Sequence, residues 1–82
     1  MGNQYLKSAI LEVVNYQIKN NDPPETKSTY ERLKKSGYSS NEALELIGVI
    51  VSAEIFGVLK NKEEFNRERF VKRLNELPEI PK

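Results

Sequence analysis

The most continuous apolar segment of the chain is ALELIGVIVSAEIFGVL, at residues 43–59. A segment this apolar in a short chain predicts the central helix of the fold, with the other segments packed around it. One carboxylate, Glu54, lies deep within its apolar arc on a helical wheel. An ionised carboxylate in such a position must be paired, neutralised or used in chemistry. The pattern therefore predicts an architecture and one candidate site.

Three further segments carry hydrophobic residues at helical spacing. They predict helix 1 over about residues 4–19, helix 2 to about residue 36 and helix 4 to about residue 77. Together with helix 3, at about residues 40–59, they predict an all-α fold, a small four-helix bundle with helix 3 as the central helix. The prediction is a single helical domain over residues 1–82, with an ordered core at about 4–77 and a C-terminal tail at 78–82.

Polar residues at the predicted helix boundaries have the chemistry of caps. Asp22 is predicted to cap helix 2, ahead of two prolines, and Gly37 to end it. Ser39 is followed three residues later by Glu42, the spacing of a capping box at the start of helix 3. Asn66 is predicted to cap helix 4. These signals place the turns and keep them short.

Composition removes several classes of function. The 82 residues include no cysteine and no histidine, which excludes thiolate sites, histidine metal ligands and a serine–histidine pair. Glu42, Glu45 and Glu54 suggest an all-carboxylate metal site, but Glu45 and Glu54 point to opposite sides of one helix. We therefore predict no metal, no cofactor and no catalytic residue, and the chemistry favours a protein that is not an enzyme.

The net charge and the absence of targeting patterns bear on the binding partners and the location of the protein. Thirteen basic and 12 acidic side chains give a net charge of +1, which argues against a strong electrostatic footprint for nucleic acid or a membrane. The N-terminus lacks the pattern of a signal peptide. The apolar run at 43–59 is slightly short for a bilayer span and contains carboxylates. We expect a soluble cytoplasmic protein.

Two polar side chains accompany Glu54 as a candidate buried polar cluster. Gln17 interrupts the apolar stripe of helix 1, which should pack on helix 3, and we predict a direct or water-mediated contact between Gln17 and Glu54. The Tyr30 hydroxyl is a candidate third member. One interpretation is a polar cluster that fixes helix register, and it is favoured. The alternatives are a tuned acid or base in a small enzyme or ligand-binding protein, and a Gln17 that lies half-exposed at the stripe's edge.

The side of helix 3 away from its core-facing arc is also apolar. Val49 and Phe56 lie there, beside Glu45, Ser52 and Lys60. This side is either covered by the other helices or offered to a partner. The leading functional hypothesis is therefore a protein-interaction module, with a homodimer or another protein as its partner and Val49 and Phe56 as the candidate interface.

Helix 4 supplies the alternative hypothesis of nucleic-acid binding. Arg67, Arg69, Lys72 and Arg73 form a candidate basic face that could follow phosphates. Acidic residues are interleaved with them, however, as is typical of a solvated helix. Nucleic-acid binding is the less favoured hypothesis.

Several motifs together resemble a known family. They are VVNYQIKNNDPPE at residues 13–25, TYERL at 29–33, NEALE at 41–45 and the acid Glu54. The chain resembles a prokaryotic family of small uncharacterised all-helical proteins, a domain of unknown function, over roughly residues 13–77. The resemblance implies the helical fold and gives weight to Gln17 and Glu54.

The same resemblance bears on metal chemistry. The start of helix 3 in that family usually reads HEAxH, which resembles a metal-binding helix. Here Glu42 and Ala43 match this pattern, but Asn41 and Glu45 stand where the histidines would be. If those histidines serve a metal or a proton transfer in the family, the resemblance implies that this chain has lost the ligands.

Overall fold

The structure, a computed structural model, describes residues 3–80, with side chains from residue 7 onward. It contains four helices and no strand in that range: α1 (Asn3–Asn20), α2 (Pro24–Lys35), α3 (Ser40–Asn61) and α4 (Arg67–Glu76). This confirms the predicted all-α four-helix bundle. Helix α3 is two residues longer than predicted, because Lys62 ends it in a left-handed conformation with φ of 53°. Within the predicted tail, residues 81 and 82 lie outside the described residues.

Helix α3 contacts each of the other three helices, as does α2. Helices α1 and α3 run in the same direction, since Lys7 lies beside Glu45 and Ile10 beside Gly48. Helix α4 runs against α3, because Arg73 reaches Glu54 while Arg69 lies near both Glu54 and Gly57. The bundle therefore has alternating directions along the chain.

The hydrophobic core lies along one side of α3. Its buried residues come from all four helices and from the residue that ends α4, and they are Ile10, Val14, Leu33, Ala43, Ile47, Ile50, Val51, Phe70, Leu74 and Leu77. Glu54 is buried among them and only 2% exposed, as the sequence pattern predicts. The opposite side of α3 has no helix packed over it in the described part of the chain.

Two of the three predicted N-terminal caps are confirmed. The Ser39 hydroxyl accepts from the Glu42 amide at 3.1 Å, and the Glu42 carboxylate accepts from the Ser39 amide at 2.8 Å. Asn66 accepts from the Arg69 amide at 2.9 Å. The prediction for Asp22 is wrong, because Pro23 occupies the cap position without a side-chain hydrogen bond. The next residue is also proline and takes the first helical position, where its missing N–H is not needed.

Arg32 joins α2 to the end of α4. Its guanidinium donates to the carbonyl oxygens of Leu74 at 3.0 Å and Leu77 at 2.9 Å. The last carbonyls of a helix lack partners within the helix, so this side chain acts as a cap from a neighbouring helix. It fixes the C-terminal end of the shortest helix in the bundle.

Candidate functional site

Glu54 is held by two arginines of α4. Arg69 Nε donates to Oε1 at 3.1 Å and to Oε2 at 3.0 Å, and Arg69 Nη2 donates to Oε1 at 2.9 Å. Arg73 Nη1 donates to Oε2 at 2.8 Å. The side chains of Arg69 and Arg73 are 32% and 30% exposed, so each guanidinium lies at the border between core and solvent. Both oxygens of the carboxylate are therefore occupied by charged donors, which give the stronger class of hydrogen bond.

Local sequence explains how these side chains meet. Arg69 and Arg73 are four residues apart on α4, so they project from one side of that helix toward the same point. Gly57 lies one turn beyond Glu54, and a Cβ at this position would be 3.8 Å from Arg69 Nη2, so Arg69 packs directly over this part of α3. Glu63, just after α3, accepts from Arg69 Nη2 at 2.7 Å. We call these four charged residues, Glu54, Glu63, Arg69 and Arg73, the Glu54 cluster.

The charges of the Glu54 cluster compensate each other. The hydrogen bonds that Arg69 donates to Glu54 and then to Glu63 raise the pKa of its guanidinium above its ordinary value. Arg69 is therefore always charged at physiological pH. The carboxylate has no oxygen free of a guanidinium, so the cluster is suited to holding α4 on α3 rather than to moving a proton.

The predicted direct contact between Gln17 and Glu54, with Tyr30 as a third member, does not form, because each of the three side chains is hydrogen-bonded to another residue. The oxygen of Gln17 accepts from the buried Thr26 hydroxyl at 2.9 Å. The Tyr30 hydroxyl donates to Ser40 at 3.2 Å. The reason is geometric: Gln17 and Tyr30 join α1 to α2 and α2 to α3, whereas Glu54 faces α4, whose guanidinium groups can reach it.

Gln17 and Glu54 nevertheless border the same cavity. It has a volume of about 290 Å³ and lies where α1, α3 and α4 leave a gap. Apart from those two residues its lining is apolar: Val13, Val51, Ile55, Val58, Leu59, Phe65 and Phe70. A cavity next to Glu54 is thus present, but the carboxylate in its wall already has its partners on α4.

The predicted basic face of α4 does not form as one surface. Arg69 and Arg73 turn toward Glu54, and Arg67 pairs with Glu25 of α2 at 3.4 Å. Lys72 remains exposed, in an open groove that also contains acidic side chains. The basic face could not be judged from the sequence, because the periodicity of α4 does not show which of its polar sides packs against a neighbouring helix.

The opposite side of α3 carries exposed apolar side chains. Phe56 is 65% exposed and Val49 is 38% exposed. We define the α3 outer face as the following residues of that side: Glu45, Val49, Ser52, Ala53, Phe56 and Lys60. Next to it, Leu59 is 73% exposed and Ile55 is also exposed.

An open groove of about 580 Å³ runs along the α3 outer face, between α3 and α1. Ile10 and Leu11 of α1 form its far wall, and Gly48 and Val49 are among the α3 residues that line it. A Cβ at Gly48 would lie 3.4 Å from Ile10 Cγ2, so the two helices approach closely at the base of the groove. Gly48 therefore permits close packing of α1 on α3 at this point.

The charges at the two ends of the α3 outer face make weak contacts within the chain. Glu45 pairs with Lys7 at 2.9 Å, and both side chains are more than half exposed. The Lys60 ammonium lies 6.0 Å from the centre of the Phe56 ring. Exposed contacts of this kind contribute little to stability, so both charges are free to rearrange.

Among the described residues, no three or more acidic side chains are grouped so that they could hold a metal ion. The helices within residues 3–80 include none with the length and apolar character needed to cross a bilayer.

Comparison with known proteins gives no match to a protein-family model, to a curated protein or to a solved structure.

Proposed function

We propose that this protein is a non-enzymatic protein-interaction module that binds its partner through the α3 outer face. The observation that carries the proposal is the exposure of Phe56, at 65%, on the helix that also forms the core of the fold. Neighbouring Val49 and Leu59 extend the apolar surface, and an open groove lies beside it. A large aromatic side chain next to a groove is the usual composition of an interface centre.

The Glu54 cluster supports a binding role rather than a catalytic one. Its carboxylate is occupied by Arg69 and Arg73 and has no free position for a substrate proton. Helix α4 also gives little support to nucleic-acid binding, because Arg69 and Arg73 turn toward Glu54 and do not form a basic surface. Membership of the helical family described above and a cytoplasmic location are further proposals.

The experiment compares two aromatic residues with the same exposure. Phe56 on α3 and Tyr16 on α1 are both 65% exposed. A photo-crosslinking amino acid is placed at position 56 or at position 16 of the full chain in cells, and the adducts are identified by mass spectrometry. We expect a discrete protein adduct from position 56 and none from position 16.

The identified partner is then purified and its affinity measured by titration calorimetry. We expect Phe56→Asp to weaken binding at least about tenfold, and Tyr16→Asp to leave it unchanged. No adduct at position 56, or equal loss of affinity in both variants, contradicts the proposal. Thermal unfolding of both variants checks that the fold is retained.

A further inference from the structure

We propose that the partner of the α3 outer face is a second copy of this chain, bound by antiparallel pairing of two α3 helices. The twofold axis passes near Ser52 and Ala53, so each helix presents the same residues to the other. This inference rests on the proposed function and adds the identity of the partner and the register of the contact.

The order of residues along the α3 outer face is self-complementary. Glu45 and Lys60 lie at equal distances on either side of the midpoint between Ser52 and Ala53. Val49 and Phe56 are also placed symmetrically about that midpoint. In a twofold contact a residue on one helix meets its symmetric counterpart on the other, which is the requirement for a closed homodimer.

Charge selects the antiparallel direction. With the helices antiparallel, Glu45 of each copy lies opposite Lys60 of the other. A parallel pairing would place Glu45 against Glu45 and Lys60 against Lys60, which is repulsive. The net charge of +1 leaves little long-range repulsion between two copies.

The groove beside α3 receives the anchoring side chain. In this register Phe56 of one copy lies opposite Val49 of the other, which lines the groove of about 580 Å³. Gly48 has no side chain to fill the space, and Ile10 and Leu11 provide an apolar wall. Each copy therefore inserts one aromatic side chain into the groove of the other, an arrangement typical of interface hot spots.

The centre of the contact allows the helices to approach. Ser52 and Ala53 are small and lie where the two helices would cross, and small side chains permit short interhelical distances. The pairing from Glu45 to Lys60 extends over about 22 Å of helix.

The first measurement is the molar mass of the full chain by sedimentation equilibrium over a range of concentrations. We expect a species of twice the 9.5 kDa chain mass, which Phe56→Asp converts to monomer and Tyr16→Asp does not.

The second measurement tests the register by exchanging charges. Glu45→Lys, Lys60→Glu and the double variant are each made in a Lys7→Gln background, because Lys7 competes for Glu45 within one copy. We expect each single variant to weaken dimerisation about threefold to tenfold, and the double variant to restore it. Circular dichroism confirms that each variant is helical.

The outcomes separate this inference from the proposed function. A dimer without rescue in the double variant overturns the antiparallel register. A strict monomer that forms an adduct with a different protein at position 56 overturns the homodimer but leaves the proposed function standing. A strict monomer with no adduct at position 56 overturns both.

Discussion

Replacing Arg69 and Arg73 together with methionine would leave the Glu54 carboxylate in the core without a partner. Glu54 is only 2% exposed, so its charge would lie in the core without a compensating cation. Removing one side of a buried ion pair costs about 3–5 kcal/mol. The total stability of a domain of this size is roughly 4–12 kcal/mol, so the loss would be a large part of it.

The reverse substitution is expected to cost less. In Glu54→Gln the guanidinium groups of Arg69 and Arg73 lose their carboxylate partner. Each is about a third exposed and can turn to water, and Arg69 keeps its ion pair with Glu63. We expect a loss of about 1–2 kcal/mol. Replacing all three residues by apolar ones, with leucine at position 54, removes the stranded charge and is expected to recover most or all of the stability.

Urea denaturation followed by far-UV circular dichroism at neutral pH measures these differences. Lys72→Met is the matched control, since it removes an exposed cation from the same helix without touching Glu54. In the variant without the two arginines, we expect the stability deficit to shrink as the pH falls, because protonation of the stranded carboxyl removes its charge. The reasoning is refuted if the variant that lacks both arginines is more stable than Glu54→Gln. It is also refuted if the triple variant is as unstable as the variant that lacks both arginines.

Three other substitutions test separate parts of the fold. Arg32→Met removes the cap from the end of α4, and we expect faster amide hydrogen exchange confined to α4, whereas equal exchange contradicts the cap. Gln17→Leu leaves the buried Thr26 hydroxyl without its acceptor and is expected to cost about 1–3 kcal/mol in thermal unfolding, much of it recovered when Thr26→Val is added. Gly57→Ala is expected to stabilise by roughly 0.5–1 kcal/mol through helix propensity, because the space there accepts a methyl group; destabilisation would show that Arg69 cannot yield.

The helices and their boundaries could be predicted because the forces that set them are local. The capping box at Ser39 and the cap at Asn66 depend on residues within one turn, and the structure contains both. Burial of Glu54 followed from its place in an apolar arc. The predicted cap at Asp22 did not form, because Pro23 occupies the cap position and Pro24 the first helical position. The sequence pattern alone did not decide between this helix start and one that begins a residue earlier.

The partners of Glu54 could not be predicted by the same means. Arg69 and Arg73 stand among acidic residues, a pattern that fits a solvated helix equally well. A signal was present, since two arginines four residues apart border the apolar stripe of α4. It could not be interpreted without knowing that this edge of α4 faces α3.

The sequence by itself determined the number of helices, the approximate positions of their ends, the apolar arc of α3 and the presence of a charge within it. These follow from periodicity and capping, which act over a few residues. Only the tertiary structure decided that Glu54 is held by guanidinium groups instead of an amide, and that Phe56 stays uncovered. Both depend on how the helices are rotated and arranged about each other, and that arrangement is set by the packing of all the side chains together.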